Sequence, residues 1–203
     1  MPVPGRARFS RSGGGQGGAR KVRGANMARN VVAIDFETSG YSPDSACALG
    51  MVRIRDGKLC GEMYRLIRPP SSRVCFTWVH GLTWKDLKDQ PVFSDLWPDF
   101  SAFLQGADLL VAHNAPFDRK VLYACCQKIG AEPPAAPFAC TLKGSRRTFG
   151  LPHNGLDDVC GHLGIGLEHH QALSDARGAA LIYLELLKRG LPDEKMLLGP
   201  CLF

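Results

Sequence analysis

The stretch that decides the fold is Val31-Val32-Ala33-Ile34-Asp35-Phe36-Glu37-Thr38. Its first four residues are apolar, a composition typical of a strand that is buried on both faces. Because side chains alternate along an extended strand, Asp35 and Glu37 point to the same side as Val31 and Ala33. Two carboxylates therefore occupy positions where a buried strand normally carries apolar side chains.

The rest of the chain first continues with strand-like patterns and then alternates between helix and strand. Asp56-Gly57 is a turn signal that joins two strands as a hairpin. Pro98 is tolerable only near the first turn of its helix, and Asn114 is a good N-cap for the next helix. Strands are expected at 46–55, 58–67, 108–112 and 138–141, and helices at 93–104, 116–129, 142–148, 156–163 and 172–189. This order predicts one α/β domain with a mixed sheet.

Two further carboxylates lie where a helix should be apolar. Asp118 shares a helix face with Val121 and Leu122, and Asp175 points away from the charged arc of the last helix. A single inward Asp is usually an N-cap or a satisfied hydrogen bond, but four are costly together. Two carboxylates about 4 Å apart repel by roughly 4 kcal/mol at an effective dielectric constant of 20. Either the acids are far apart, or they take up protons, or cations lie between them. Oxygen ligands favour Mg²⁺ or Mn²⁺ over zinc.

A histidine lies in the loop just before the last of these acids. His170 precedes Asp175 by five residues. A loop imidazole near a metal site can take a proton from water near neutral pH. The alternative interpretation is that His169 and His170 are a solvated pair at the entrance of a helix.

Three motifs built on these residues resemble those of the DEDDh exonucleases. Asp35-Phe36-Glu37-Thr38 resembles the D-x-E-T motif, the segment Asn114–Asp118 resembles the second motif, and His170–Asp175 resembles the third, H-x₄-D. His80-Gly81-Leu82-Thr83 and Cys140-Thr141-Leu142 look like further landmarks of this family. The resemblance covers residues 30–189 and is greatest to the DnaQ-like group, typified by the proofreading epsilon subunit of bacterial DNA polymerase III. It implies an RNase H-like fold, with a mixed five-stranded sheet flanked by helices.

The resemblance also implies a reaction and roles for individual residues. It implies a 3′–5′ exonuclease that releases nucleoside 5′-monophosphates from the 3′ end of DNA by two-metal hydrolysis. Asp35, Glu37, Asp118 and Asp175 would hold two Mg²⁺ or Mn²⁺ ions, and His170, which fits the spacing better than His169, would be the general base. The residues expected to line the pocket for the terminal nucleotide are Thr38, Gly40, His80, Asn114 and Phe117. For His80, a hydrogen bond to its own turn is the alternative.

The sequence leaves the substrate and the partners open. An RNA-trimming enzyme similar to RNase T or oligoribonuclease is one alternative, and a non-catalytic module that binds nucleic acid or a polymerase is another. The expected partner is a single-stranded or frayed 3′ end, with DNA favoured. The apolar end, 197–203, can dock on a polymerase or sliding clamp, or it can pack on its own domain. No membrane partner is expected, because no apolar run approaches the roughly 18–20 residues of a membrane span.

The distribution of charge predicts the domain limits, and the cysteine content predicts the cellular compartment. The 203 residues carry a net charge of +6, but residues 1–30 hold seven basic residues and no acidic one, so residues 31–203 have a charge of −1. We expect a disordered basic Gly/Arg-rich extension over 1–29, either dispensable or able to grip phosphates, then the exonuclease domain over 30–190 and a tail over 191–203. Eight cysteines without zinc-like spacing or a secretory signal favour a reducing cytoplasm.

Two smaller groups of side chains are candidates for contact with nucleic acid. Lys143, Arg146 and Arg147 form a positive run that is either a solvated helix face or a contact for phosphates. The aromatic residues near His80 can stack on bases or pack in the core; they are Phe76, Trp78 and Trp84.

Overall fold

A five-stranded mixed sheet forms the centre of the computed structural model, which describes Met1 and residues 29–200. The predicted extension over 1–29 falls almost wholly outside the described residues, as do residues 201–203. The strands are β1 (Val31–Thr38), β2 (Ala46–Arg55), β3 (Lys58–Leu66), β4 (Leu109–Ala112) and β5 (Phe138–Cys140). Their order across the sheet is β3-β2-β1-β4-β5. The first three strands pair antiparallel, whereas β4 runs parallel to both β1 and β5. The predicted mixed five-stranded sheet is confirmed.

Helices cover both faces of this sheet. They are α1 (Thr77–His80), α2 (Trp84–Leu87), α3 (Phe93–Leu104), α4 (Ala115–Lys128), α5 (Thr141–Thr148), α6 (Leu156–Leu163) and α7 (Ala172–Lys188). Val32, Ile34 and Phe36 of β1 pack with α3 and α4 in one apolar cluster, and Val31 and Ala33 pack with α6 and α7 in a second. The two faces of β1 are therefore both buried, as its composition predicted.

The sequence-based expectations differ from the structure in three places. The four-residue helices α1 and α2 were not predicted, because a single turn is too short to show a hydrophobic period. Pro98 is the sixth residue of α3 and not in its first turn. A proline has no N–H to donate to the carbonyl four residues earlier, which here belongs to Ser94. Pro98 is tolerated because Ser94 is exposed, so water can bond to that carbonyl. Asn114 holds the N-cap position in a left-handed backbone conformation, with a φ of 68°, and its side chain makes no capping bond.

The segment after α7 turns back onto the domain. A 3-10 turn, Asp193–Lys195, leads to Met196, which is completely buried in the same cluster as α7. The Leu198 amide donates to the Phe138 carbonyl at 2.8 Å. Of the two alternatives for the apolar end, its described part packs on its own domain.

Two further features bear on the sequence-based expectations. No helix within Met1 and residues 29–200 combines the length and the apolar content needed to cross a membrane. The cysteines of the same part of the chain are unpaired.

Candidate metal centre

Asp35 and Glu37 lie at the carboxyl end of the central strand, on the face covered by α7. Asp35 pairs across the sheet with Gly50 of β2. A Cβ atom at Gly50 would lie only 2.2 Å from the carbonyl oxygen of Ala172, the first residue of α7. The missing side chain thus lets the N-terminus of α7 approach the sheet directly beside Asp35.

Asp175 comes from the first turn of α7 and completes a cluster with the two acids of β1. Its side chain is buried, and its Oδ2 accepts a hydrogen bond from the His170 amide at 3.0 Å. One oxygen each from Asp35, Glu37 and Asp175 lies within 4.8 Å of the others. The first alternative from the sequence, carboxylates that lie far apart, is therefore wrong for these three residues.

Asp118 lies in the first turn of α4 with only 1% of its surface exposed. Its Oδ1 accepts a hydrogen bond from the Phe36 amide at 3.0 Å, which ties α4 to the backbone of β1 between the two acids. Its negative charge also raises the pKa of Asp35, so the fourth carboxyl group belongs to the same electrostatic cluster.

Burial raises the pKa of all four acids, and repulsion by acidic neighbours adds to it for Asp35, Glu37 and Asp118. Loss of water is the main cause, and it raises the pKa of Glu37 and of Asp118 to about 8 each. Desolvation and the charges of three acidic neighbours raise the pKa of Asp35 well above its usual value. The pKa of Asp175 is raised by burial and partly lowered by the two histidines near it.

The donor set fits hard divalent cations. All four side chains offer oxygen atoms, and no ion pair within residues 29–200 joins any of them to a lysine or an arginine. A buried group of carboxylates without a cationic partner is unfavourable unless protons or metal ions neutralise it. Mg²⁺ and Mn²⁺ prefer oxygen ligands of this kind.

The two histidines before α7 both lie against Asp175, and they do so in different ways. The His169 Nδ1 atom lies 3.1 Å from the Asp175 Oδ2 atom, while His170 reaches the same oxygen through its backbone. The two rings stack with their centroids 3.8 Å apart, and His170 has a left-handed backbone with a φ of 66°. The His170 imidazole is exposed, and partial desolvation and the nearby His169 lower its pKa. The H-x₄-D spacing favoured His170, and the adjacent His-His pair was the available signal for the contact of His169.

His80 joins the turn after α1 to the end of β1. The Leu82 amide donates to its Nδ1 at 3.1 Å, so its Nε2 is the donor to the Thr38 carbonyl at 3.3 Å. The imidazole is therefore bonded to its own turn, which was the alternative interpretation, and also to the end of β1. Its place in a pocket for the terminal nucleotide stays a prediction. The loop after Thr38 is held by Ser45, whose hydroxyl donates to the Gly40 carbonyl at 2.9 Å.

Several exposed side chains lie on the segments that carry the acids or contact the end of β1. Asn114 and Phe117 are exposed at the start of α4, in the same turn as the buried Asp118. Tyr41 and Trp78 are 89% and 83% exposed, and Tyr41 packs edge-on against Phe76 at 4.9 Å. Of the aromatic residues near His80, Trp78 therefore offers a free ring face and Phe76 is partly packed.

Proteins of known identity are similar to this chain in sequence. The DNA polymerase III PolC-type of Thermotoga petrophila is 33% identical over 162 residues, which cover 77% of this chain and 12% of that polymerase. The DNA polymerase III subunit epsilon of Pasteurella multocida is 29% identical over 176 residues, 79% of this chain and 69% of that subunit. The chain thus spans about an eighth of the length of the PolC-type polymerases.

A solved structure and a family model agree with these relatives. Exonuclease X, in a complex with 5′ overhanging duplex DNA, has a TM-score of 0.67 and 25% identity, and the match covers 82% of this chain and 96% of that one. The family model RNase_T, described as an exonuclease, matches residues 32–183. That range includes all four clustered acids and most of the described fold, so the chain belongs to the RNase_T exonuclease family.

Proposed function

We propose that this exonuclease domain is a divalent-metal-dependent 3′–5′ enzyme of the DEDDh type that releases nucleoside 5′-monophosphates from DNA. The observation that carries the proposal is the convergence of Asp35, Glu37 and Asp175 within 4.8 Å, beside the buried Asp118, without a neutralising lysine or arginine among the described residues. Such a group of oxygen atoms suits the binding of cations between the protein and a phosphodiester.

The four acids would hold two Mg²⁺ or Mn²⁺ ions. When bound, such ions lower the pKa of water and stabilise the oxygen that leaves phosphorus. The protein keeps the ligands in place by its own bonds: the Phe36 amide orients Asp118, and the His170 amide orients Asp175. Desolvation of these carboxyl groups strengthens their attraction for a cation, because the surrounding dielectric constant is lower than that of water.

His170 is the proposed general base. Its lowered pKa keeps the imidazole neutral near pH 7, so a ring nitrogen can accept the proton that the attacking water loses. The water oxygen forms the new bond to phosphorus, and the bond from phosphorus to the 3′ oxygen of the preceding nucleotide breaks. The products are a nucleoside 5′-monophosphate and a strand that is one nucleotide shorter. His169, bonded to Asp175, is the alternative base.

The surroundings of the cluster suit a terminal nucleotide. Thr38, Gly40, His80, Asn114 and Phe117 are the proposed walls of its pocket. A base must separate from its partner to enter, so a single-stranded or frayed 3′ end is the proposed substrate. Exposed rings such as those of Tyr41 and Trp78 can stack on unpaired bases.

The relatives support DNA as the substrate and a polymerase as a partner. Two of them are DNA polymerase III proteins, and a third is an exonuclease in a complex with DNA. Similarity to bacterial polymerase proteins also supports the expected cytoplasmic location. Contact with a sliding clamp stays a prediction.

The test is an assay on 5′-labelled single strands of DNA and RNA with the same sequence. We expect stepwise shortening from the 3′ end in Mg²⁺ or Mn²⁺, none in EDTA, and faster shortening of DNA. Asp175→Asn should lower the rate about 100-fold or more, since it removes a ligand charge. Asp89→Asn, an exposed acid outside the cluster, is the matched control.

The same assay separates the alternatives. Faster shortening of RNA would favour the RNA-trimming enzyme, and binding without shortening would favour the non-catalytic module. Internal cuts, shortening from the 5′ end, or full activity of Asp175→Asn would contradict the proposal.

A further inference from the structure

A cleft lies between the start of α4 and helix α5. Its volume is about 400 Å³. The lining residues that matter here are Asn114, Pro116, Leu142, Lys143, Arg146 and Arg147. We call it the α5 cleft.

The α5 cleft is basic, and its arginines have no other described role. Arg146 and Arg147 are exposed, and no hydrogen bond or ion pair within residues 29–200 involves either guanidinium. Lys143 donates to the Leu197 carbonyl at 2.9 Å, so its charge is fixed at the rim by the C-terminal segment. No acidic residue lines the cleft. Since residues 31–203 have a net charge of −1, this positive site is local and not a property of the whole domain.

The cleft and the acids share one edge of the sheet. The strands β1, β4 and β5 are parallel, so their carboxyl ends meet at that edge. Asp35 and Glu37 lie at the end of β1, Asn114 follows β4, and α5 follows β5. Asn114 lines the cleft and lies one helical turn from the buried Asp118. A strand whose terminal nucleotide lies at the acids can therefore continue along this edge into the cleft.

We propose that the α5 cleft binds phosphates of the substrate strand, on the 5′ side of its terminal nucleotide, through Arg146 and Arg147. This inference rests on the proposed function. Guanidinium groups match phosphate geometry and bind it through paired donors. The structural alternative is that both arginines only offset the negative C-terminal end of α5.

The test compares Arg146→Gln/Arg147→Gln with a matched control, Arg55→Gln/Lys58→Gln. The control removes the same charge from the exposed hairpin at the opposite end of the sheet. Fluorescence polarisation gives the affinity for a labelled dT12 strand in EDTA as a function of salt. Hydrolysis of thymidine 5′-(p-nitrophenyl phosphate), which has one nucleotide and cannot span both sites, reports the chemistry alone.

We expect the cleft variant to lower the salt slope of log K by about 1.4, since each lost phosphate contact of a single strand is worth about 0.7. If both proteins bind alike at 1 M salt, this corresponds to about 25-fold weaker binding at 0.1 M salt. Hydrolysis of the small substrate and the melting temperature should stay as in the wild type. An unchanged salt slope, or an equal loss in the control, would overturn the inference.

Failure of the proposed function gives a different result. If the wild type hydrolyses neither dT12 nor the small substrate in Mn²⁺, the catalytic proposal is wrong. Polarisation in EDTA then still decides whether the cleft binds a strand.

Discussion

Burial gives Glu37 and Asp118 a pKa of about 8 each, and this shift couples stability to pH. Both groups bind a proton more tightly in the folded protein than in the unfolded chain, where a carboxyl group has a pKa of about 4. The stability that they contribute to the metal-free protein is therefore fully present below about pH 4 and is lost as the pH rises through 8. The lowered pKa values of His80, His113 and His170 act in the opposite direction, chiefly below about pH 6.5.

The first prediction concerns this coupling. In EDTA, we expect the melting temperature to fall between pH 7 and pH 8.5, because the clustered acids lose their protons. Mg²⁺ or Mn²⁺ at about 100 times its Kd should add about 2.7 kcal/mol. That corresponds to a rise of about 5–10 °C for a chain of this length. A metal concentration chosen in this way at pH 7 should give a larger rise at pH 8.5, because the deprotonated acids bind the metal more tightly there. Thermal unfolding with and without metal measures both effects.

Asp118→Asn is the matching variant. The amide oxygen of the asparagine can still accept the hydrogen bond from the Phe36 amide, but the asparagine side chain neither titrates nor carries a charge. The melting temperature in EDTA should then depend less on pH, and the metal should stabilise the variant less. Identical pH profiles for the wild type and the variant, with no response to metal in either, would refute the carboxylate cluster as a metal site.

At the residue scale, local pattern predicts which acids are unusual, but only the fold shows which of them meet. The alternation of β1 placed Asp35 and Glu37 on one side, and the structure has both on the face of Val31 and Ala33. The contact of Asp175 with them depends on how α7 crosses the sheet, which no local pattern contains. For the same reason, the H-x₄-D spacing that selected His170 did not predict that the His169 ring nitrogen contacts the Asp175 carboxylate.

At the scale of secondary structure, the approach of α7 to β2 holds the site together. Gly50 is the one residue of β2 without a side chain. It therefore leaves room for the backbone of Ala172 and Leu173. A methyl group there would meet backbone atoms, which cannot rotate away as a flexible side chain does. Moving α7 outward would also move Asp175 away from Asp35 and Glu37.

The second prediction is that Gly50→Ala lowers both stability and metal affinity. Overpacking of this kind costs about 1–3 kcal/mol. Calorimetric titration with Mn²⁺ should show weaker binding, and the nuclease rate should fall with it. Gly61→Ala in β3 is the control, since the nearest atoms to its added Cβ lie 3.8 Å away. If Gly50→Ala behaves like Gly61→Ala in melting temperature and Mn²⁺ affinity, the close approach of α7 does not position Asp175.

The strands and the longer helices could be predicted, whereas the single-turn helices α1 and α2 could not. The helix predicted over 156–163 matches α6, and the hairpin strands predicted at 46–55 and 58–67 match β2 and β3 to within a residue. Their apolar periods and glycine or turn signals define them locally. The single turn α1 is held by contacts such as the His80 bond to Thr38, which depends on the finished sheet.

At the scale of the whole molecule, the segment just before β1 meets the segment that follows α7. Arg29, just before β1, pairs with Asp193, which follows α7 and also accepts a hydrogen bond from the Tyr183 hydroxyl at 2.9 Å. The predicted domain limit at 190 came from Gly190, a good signal for the end of a helix. The apolar run 196–198 is too short to show a period, so the burial of Met196 in the core could not be predicted from the sequence.

The final prediction tests whether this C-terminal segment is part of the core. Met196 is fully buried, and its amide and carbonyl link the 3-10 turn to the sheet, since the Cys140 amide donates to the Met196 carbonyl at 3.0 Å. Its side chain also fills the space beside Gly144 of α5. Met196→Ala should therefore lower the free energy of unfolding by about 2–5 kcal/mol.

Its effect on function should be small below the melting temperature, because no described contact joins Met196 to the four acids. Urea unfolding measures the stability loss, and Mn²⁺ titration at low temperature measures the site. Glu194→Ala, an exposed neighbour in the same turn, is the control and should change stability by no more than about 0.5 kcal/mol. Equal stability of Met196→Ala and Glu194→Ala would mean that the segment only rests on the surface, and the domain would then end at α7.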